Sequence, residues 1–246
     1  MKRVILNYLV ITAIAVSSVF TSCDKDDEDK VQLLETLIFD GGFYEKYEYD
    51  NQNRITKIST YINDEDFGYS KIFTYSGNDL VEVAEITSTS FTTEEYVKTK
   101  NKITITRKNN SGNVYSTATI DLNNDGLPTK FEVSSEEYFE VITHQYQRGN
   151  MTKRTLKRIQ NDELQEYVNE NKFDKMKTPY YHCKTPKWYI YMIGNYYVGQ
   201  NNIIEVSYGN KDKTVFKYEY DKTGFPTKCT MKLSSGNETV REFKYK

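Results

Sequence analysis

Residues 220–229 read Tyr-Asp-Lys-Thr-Gly-Phe-Pro-Thr-Lys-Cys, and the same pattern recurs at residues 49–58 and 122–131. In each copy, a segment of alternating apolar and polar residues ends on an aromatic or aliphatic residue, and Gly or Asn follows four positions later. Thr-Lys with an apolar residue then opens the next segment. Gly and Asn adopt positive φ at little cost, and Asp and Asn cap such turns through their side chains. The repeat therefore predicts a β-hairpin that the chain uses several times.

Short polar turns also separate the alternating segments elsewhere, as at residues 40–42, 76–79, 108–112 and 147–150. The segments place apolar or aromatic side chains on one face and Lys, Glu or Thr on the other. Short links between sequential strands predict an up-and-down antiparallel meander. A sheet of a dozen or more strands rarely stays open and flat, so we predict an all-β domain curled into a barrel-like or half-barrel sheet.

The rhythm of hairpins breaks near residues 160–200, where an aromatic segment carries Pro179 and Pro186. Because proline removes a donor from the β-ladder, we predict an irregular insertion with a short helix at residues 187–193. If its rings are exposed, they form a binding surface for a glycan or a peptide. The alternative is a plug that buries the same rings in the mouth of the curled sheet. The candidate ligand-binding residues are Tyr180, Tyr181, Trp188, Tyr189 and Tyr191.

The first 22 residues have the pattern of a secretion signal, with a positive start, an uncharged apolar stretch at residues 4–20 and small residues before Cys23. After Cys23, all seven residues 24–30 are charged, so residues 23–30 are predicted to be a disordered tether. Residues 31–246 are predicted to form a single domain of β-hairpins.

The residues before Cys23 resemble the lipobox of bacterial lipoproteins, although Phe20 stands where many lipoboxes have Leu. This resemblance implies that the signal is cut before Cys23 and that its thiol carries diacylglycerol; the alternative is an ordinary secretion signal. The acidic run that follows resembles the export signal of Bacteroidetes surface lipoproteins. It implies the outer leaflet of the outer membrane and the cell surface, with a periplasmic spacer as the alternative.

The hairpin repeats, the Tyr-x-Tyr-Asp strand ends at residues 47–50 and 218–221, the aromatic segment and the lipobox together resemble a family of Bacteroidetes lipoproteins of unknown function. The domain of that family is described as porin-like. Residues 49–55 are also similar, more weakly, to the tyrosine-aspartate repeats of Rhs-type toxin shells. Neither family brings catalytic residues. Because Lys and Glu recur on the strand faces, the resemblance does not imply a porin that spans the membrane.

Residues 121–132 match the calcium-loop pattern, with Asp121, Asn123, Asp125 and Glu132 as the oxygen ligands and Gly126 at the sixth position. That pattern requires a helix on each side, whereas the flanking segments are predicted to be strands. The other copies of the repeat keep the turn and lose the oxygens. We therefore interpret the stretch as a hairpin turn and predict no metal site.

Two cysteines, Cys183 and Cys229, remain once Cys23 carries lipid. In an oxidising compartment they are candidates for a disulfide. Cys229 also takes the position held by Ile58 and Phe131 in the other repeats, so a buried apolar role fits it equally well.

The composition and the motifs disfavour several classes of function. A net charge of −2 and a pI of about 5.9 give no basic surface for nucleic acid. With two histidines and no hydrolase, zinc-protease or phosphate-loop motif, we predict neither a cofactor nor an enzyme. The hypothesis is a non-catalytic binding module for a glycan or a peptide, anchored to the outer membrane. A structural partner of another outer-membrane protein is the alternative, and a glycan-cleaving enzyme with paired carboxylates is the third hypothesis.

Overall fold

The computed structural model describes residues 30–134, 138–160, 163–193, 199–209 and 212–246. The predicted signal, Cys23 and the predicted tether up to residue 29 lie outside these residues. Val31–Lys246 form one compact unit.

The described residues form sixteen strands and one helix, and the strands close into an antiparallel barrel in which each strand pairs with its neighbours in sequence. The elements are β1 (Leu34–Phe39), β2 (Phe43–Tyr49), β3 (Ile55–Ile62), β4 (Glu65–Ser76), β5 (Asp79–Ile86), β6 (Phe91–Thr99), β7 (Lys102–Lys108), β8 (Val114–Leu122), β9 (Pro128–Ser134), β10 (Tyr138–Gln147), β11 (Asn150–Gln160), β12 (Glu163–Phe173), α1 (Lys187–Ile193), β13 (Ile203–Tyr208), β14 (Lys213–Tyr220), β15 (Pro226–Lys232) and β16 (Glu238–Tyr245). The predicted all-β meander is confirmed, and of its two predicted shapes the closed barrel is the one that forms.

The first and last strands close the barrel. Leu37 of β1 lies opposite Phe243 of β16, and the backbones of Leu33 and Lys246 exchange hydrogen bonds of 3.1 and 3.0 Å just beyond the two strands. Closure pairs the N–H and C=O groups that an open sheet would leave along its edges.

The repeated hairpin has one turn chemistry. In the last copy, the Asp221 carboxylate accepts the backbone N–H groups of Thr223 and Phe225 at 2.9 and 3.0 Å. Gly224 then takes a φ of +86°, and its counterpart in the first copy, Asn53, takes +63°. The side chain that caps the turn and the residue with positive φ are those that the sequence pattern indicates.

Side chains on the inner face of the barrel wall form the core. In an antiparallel sheet, residues directly opposite each other share a face, so the register assigns inward and outward positions around the barrel. Inward residues buried in this way include Ile58, Val83, Ile105, Ile120, Phe216 and Cys229.

The outer face carries charged cross-strand pairs. Lys157 and Glu166 are direct cross-strand partners 3.4 Å apart, and Lys228 and Glu219 are another such pair at 3.8 Å.

A barrel of sixteen strands is too wide for its own side chains to fill. One end of this barrel is filled by residues 174–193 and 199–202, which we call the plug. Trp188 of the plug contacts Tyr96 of β6, and Tyr189 contacts Phe73 of β4, with ring centroids 5.1 and 5.3 Å apart. In the part of the chain that the structure describes, no helix is long and apolar enough to cross a membrane.

The predicted insertion is too long at its start. The polar composition of residues 161–177 places them in the predicted insertion, but residues 163–173 form β12. The alternation is weak because both faces of this strand meet polar surroundings: Glu166 and Glu170 lie on the outer wall, and Asn169 and Asn171 line the lumen. The predicted helix at residues 187–193 is confirmed as α1.

Candidate functional site

The five predicted ring residues divide into buried and accessible ones. Trp188 and Tyr189 are 4% and 2% exposed, and Tyr180 is also buried. Tyr181 is 45% exposed, and Tyr191 is half-buried. Ligand binding by these rings therefore depends mainly on Tyr181 and Tyr191, because the other three belong to the core.

Four of the five, all except Tyr189, line a groove of about 930 Å³ at the plug end of the barrel. The groove lies between the plug and the hairpin turns of that end. The Tyr191 hydroxyl donates a hydrogen bond of 2.5 Å to the carbonyl oxygen of Gly149 in one of those turns. Polar side chains on its walls include Asn78, Lys98, Asp125, Lys187 and Gln200. We call this opening the end groove.

The turn that matches the calcium pattern borders the end groove, and its best-placed oxygen is already used. Asn123 Oδ1 accepts the N–H groups of Asp125 and Leu127, both at 2.9 Å. Glu132, the twelfth residue of the pattern, lies on strand β9 and pairs with Lys130. Among the described residues, no group of three or more His, Cys, Asp or Glu side chains is placed to hold a metal ion.

Cys183 and Cys229, the candidates for a disulfide, are both free thiols in the structure. Cys229 is buried in the barrel core, and burial raises the pKa of its thiol to about 11. Burial also raises the pKa of Cys183, on the wall of the end groove. Both thiols are therefore protonated and weakly nucleophilic at neutral pH.

His182 holds the segment just before β1 against the plug. The backbone N–H of Gln32 donates to His182 Nδ1 at 2.9 Å, and the Gln32 side chain accepts a hydrogen bond from Thr223 at 3.4 Å. The chain before β1 therefore reaches the barrel at the plug end.

A second cavity, of about 560 Å³, lies inside the barrel between α1 and the wall formed by β9 to β13. We call it the lumen cavity. Tyr191 lines both this cavity and the end groove. The residues that line the lumen cavity include His144, Met151, Arg154, Asn169, Asn171 and Val206.

Sequence reasoning missed the lumen cavity. From the sequence, the basic run at residues 153–158 is interpreted as a solvated face, and Lys153 and Lys157 do lie on the outer face of β11. Arg154 and Arg158 point the other way, since Arg154 lies opposite His144 and Arg158 lies opposite Glu140. The alternation of the run was the available signal, because it separates the two arginines from the two lysines.

His144 is neutral at physiological pH. Burial, with a smaller contribution from the nearby Arg154 cation, lowers the pKa of His144 to about 4. Its Nδ1 lies 3.0 Å from the carbonyl oxygen of Pro128, which accepts hydrogen bonds only, so Nδ1 carries the proton. The Nε2 atom of His144 is then a hydrogen-bond acceptor.

We expect the barrel to lose stability as the pH falls from 6.5 to 4. Above pH 6.5 His144 is neutral in the folded and unfolded chains, and below 4 it is protonated in both, so the change falls between these values. Within this window only the unfolded chain takes up the proton, which lowers the free energy of unfolding by up to roughly 3 kcal/mol. Urea unfolding at pH 7, 5.5 and 4 measures this. The His144→Gln variant should lose most of the pH dependence; an unchanged profile in that variant would contradict the assignment.

Three carboxylates line a third cavity, of about 370 Å³, which shares Met192 with the lumen cavity. They are Glu45, Glu85 and Glu94. Glu85 pairs with Lys71 at 2.6 Å, and Glu94 accepts a hydrogen bond from Arg107 Nε at 2.7 Å. Two of the three carboxylates are thus held by cations of the barrel wall.

Glu45 differs from the other two. It accepts a hydrogen bond from the Tyr47 hydroxyl at 2.6 Å, and burial raises its pKa although Lys71 and Arg241 act in the opposite direction. A glycosidase needs one protonated and one ionised carboxyl group. The glycan-cleaving hypothesis would therefore place its acid at Glu45 and its base at Glu85 or Glu94.

Neither a protein-family model nor a curated protein matches the sequence. Among solved structures, a porin-like protein from Bacteroides vulgatus ATCC 8482 is similar with a TM-score of 0.44 and 10% identity, over 88% of this chain and 99% of that one. A porin-like protein from Bacteroides uniformis ATCC 8492 is similar with a TM-score of 0.39 and 13% identity, over 87% and 98% of the two chains. No function is assigned from this likeness.

Proposed function

We propose that this protein is a non-catalytic binding module, anchored to the outer membrane through lipid on Cys23, that takes a glycan or a peptide in the end groove. The observation that carries the proposal is the groove itself, which gathers four of the five ring residues that the sequence singles out. Its volume of about 930 Å³ falls in the range of about 300–1,000 Å³ that is usual for ligand sites.

Tyr181 is the residue on which the proposal depends most. It is the most exposed ring of the groove, and its ring packs edge-on against Phe225 with centroids 6.2 Å apart. A ring held in this way offers an apolar face and a polar hydroxyl without a large loss of side-chain freedom. These properties suit stacking on a sugar ring or contact with a peptide.

The test is a glycan and peptide binding screen on the compact unit Val31–Lys246, followed by titration of the hits. Tyr181→Ala should weaken binding about tenfold, the equivalent of about 1.4 kcal/mol. The matched control is Tyr115→Ala, which removes an equally exposed tyrosine from β8, outside the groove. Unfolding midpoints of both variants should stay near that of the unchanged protein.

Two outcomes would overturn the proposal. Equal weakening by Tyr181→Ala and Tyr115→Ala would place the ligand elsewhere, and release of reducing ends from a bound glycan would show catalysis.

If no ligand binds, the result favours the hypothesis of a structural partner, because Phe139, Ile159 and Leu164 form an apolar row on the outer wall. They are cross-strand neighbours, and Leu164 is 62% exposed.

A further inference from the structure

The lumen cavity contains an arginine that the barrel does not neutralise. Among the described residues, no side chain or backbone group makes a hydrogen bond or an ion pair with the Arg154 guanidinium. Glu140 is the nearby carboxylate, but it accepts a hydrogen bond from Arg158 Nε at 2.9 Å. The Arg154 side chain is half-buried, and this burial lowers the pKa of its guanidinium although Glu140 acts in the opposite direction. A half-buried guanidinium of this kind favours a carboxylate partner.

Acceptors without donors lie beside Arg154. Asn171 donates through Nδ2 to the carbonyl oxygen of Met151 at 2.8 Å, while its buried Oδ1 has no protein partner among the described residues. The Nε2 of His144 is a second acceptor, as argued above. A buried acceptor without a donor is unfavourable, so Asn171 Oδ1 favours a ligand that brings an N–H or O–H group, and His144 Nε2 can accept a second one.

Apolar residues adjoin these polar groups on the same wall. Val206 of β13 is the direct cross-strand partner of Asn171, and Met151 lies on the same strand as Arg154. Met151, Ile203 and Val206 are buried core residues, and Met192 of the plug also lines the cavity. This apolar part of the wall receives an apolar side chain better than a hydroxylated one, so the lining as a whole favours an amphipathic ligand.

The cavity is reached from the rim opposite the plug. Tyr167 and Arg158 lie on the same inward-facing rows as Asn169 and Arg154, two and four residues closer to that rim. Although they face the lumen, Tyr167 is 52% exposed and the Arg158 side chain is 40% exposed. Water reaches this part of the lumen, and a small ligand can follow.

We propose that the lumen cavity binds the free C-terminus of a peptide whose last side chain is apolar. The terminal carboxylate lies on Arg154, the peptide N–H groups reach Asn171 Oδ1 and His144 Nε2, and the last side chain packs against Met151, Ile203 and Val206. A fatty acid would supply the carboxylate without the donors. An acidic sugar would supply both but would set hydroxyl groups against the apolar wall. This site is separate from the end groove and does not depend on the proposed function.

The test titrates the compact unit Val31–Lys246 with N-acetyl-alanyl-leucine as the free acid, with its C-terminal amide, with decanoate and with glucuronate. The free acid should bind at least tenfold more tightly than the amide and than either other probe. Arg154→Gln should weaken binding of the acid at least tenfold. The matched control is Lys153→Gln, which removes the same charge from the outer face of the same strand. Tyr181→Ala should leave binding unchanged, which separates this result from that of the end groove.

Equal binding of the acid and the amide would overturn the proposal, as would tighter binding of decanoate or glucuronate. Equal losses in the Arg154→Gln and Lys153→Gln variants would also overturn it. If Arg154→Gln does not fold, the comparison of acid and amide on the unchanged protein still decides, because it tests the carboxylate from the side of the ligand.

Discussion

Replacing Trp188 with alanine is expected to lower the free energy of unfolding by about 3–5 kcal/mol. The side chain is 4% exposed and makes edge-to-face contacts with Tyr96 and Tyr189, at centroid distances of 5.1 and 5.7 Å. Its removal leaves a cavity between the plug and the wall, and no other element among the described residues fills that end of the barrel. Urea unfolding at neutral pH measures the loss as a shift of the midpoint at constant slope.

The matched control for Trp188→Ala comes from the same segment. Tyr181→Ala also removes an aromatic side chain from the plug, but this ring is 45% exposed, so we expect a loss of less than about 1 kcal/mol. A domain of this kind is stable by about 5–15 kcal/mol, so the difference between the two variants is large. If both cost less than about 1 kcal/mol, the plug does not fold as one unit with the barrel.

The sequence is sufficient to predict the antiparallel meander because its short turns and its alternation of apolar and polar residues reflect local conformational preferences. Residues 49–58, 122–131 and 220–229 each predict a turn capped by an Asp or Asn side chain, and in each the structure shows one side-chain oxygen that accepts two backbone N–H groups. Short turns leave a strand little choice but to pair with the one before it. Closure at sixteen strands depends on the pairing of β1 with β16, which no local pattern shows.

The residues that line the lumen are the part of the structure that the sequence does not predict. A polar residue on a strand is ordinarily taken to face water outside the protein, and this assumption fails where the barrel is wide enough to admit water inside. Arg154, Asn169 and Asn171 therefore look like surface residues in the sequence although they line a cavity. The role of His144 is hidden for the same reason, since a histidine on a predicted strand has no distinguishing pattern until its cross-strand neighbours are known.

The plug shows how far the composition of a segment determines its role. Its aromatic residues and its prolines predict an irregular segment, and they fit a core filler as well as a binding surface. Tyr180, Trp188 and Tyr189 are buried because they meet inward rings of the wall, such as Tyr47, Tyr96 and Phe73. Those contacts join residues more than 90 positions apart in the chain, so only the closed barrel determines which rings stay exposed.

Asp174→Ala should be the second most damaging substitution, with a loss of about 3–4 kcal/mol. The Asp174 carboxylate joins both ends of the plug: Oδ1 accepts the N–H groups of Met176 and Asn202, both at 3.0 Å. Oδ2 accepts the Asn202 side-chain amide at 3.2 Å and the hydroxyl of Tyr220 on β14. Asn202 is completely buried, so alanine at position 174 leaves its backbone N–H and one amide N–H without an acceptor and without access to water. The other amide N–H keeps its hydrogen bond of 3.0 Å to the carbonyl oxygen of Lys177.

Urea unfolding gives the size of this loss, and amide hydrogen exchange shows where it acts. In the Asp174→Ala variant the amides of residues 174–193 should exchange faster than those of the strands, because the plug opens before the barrel unfolds. Tyr220→Phe removes one of the four hydrogen bonds and should cost about 1–2 kcal/mol, whereas Asp125→Ala, at an exposed turn, should cost less than about 0.5 kcal/mol. Uniform exchange across the plug and the strands would mean that Asp174 stabilises the barrel as a whole and does not hold the plug in place.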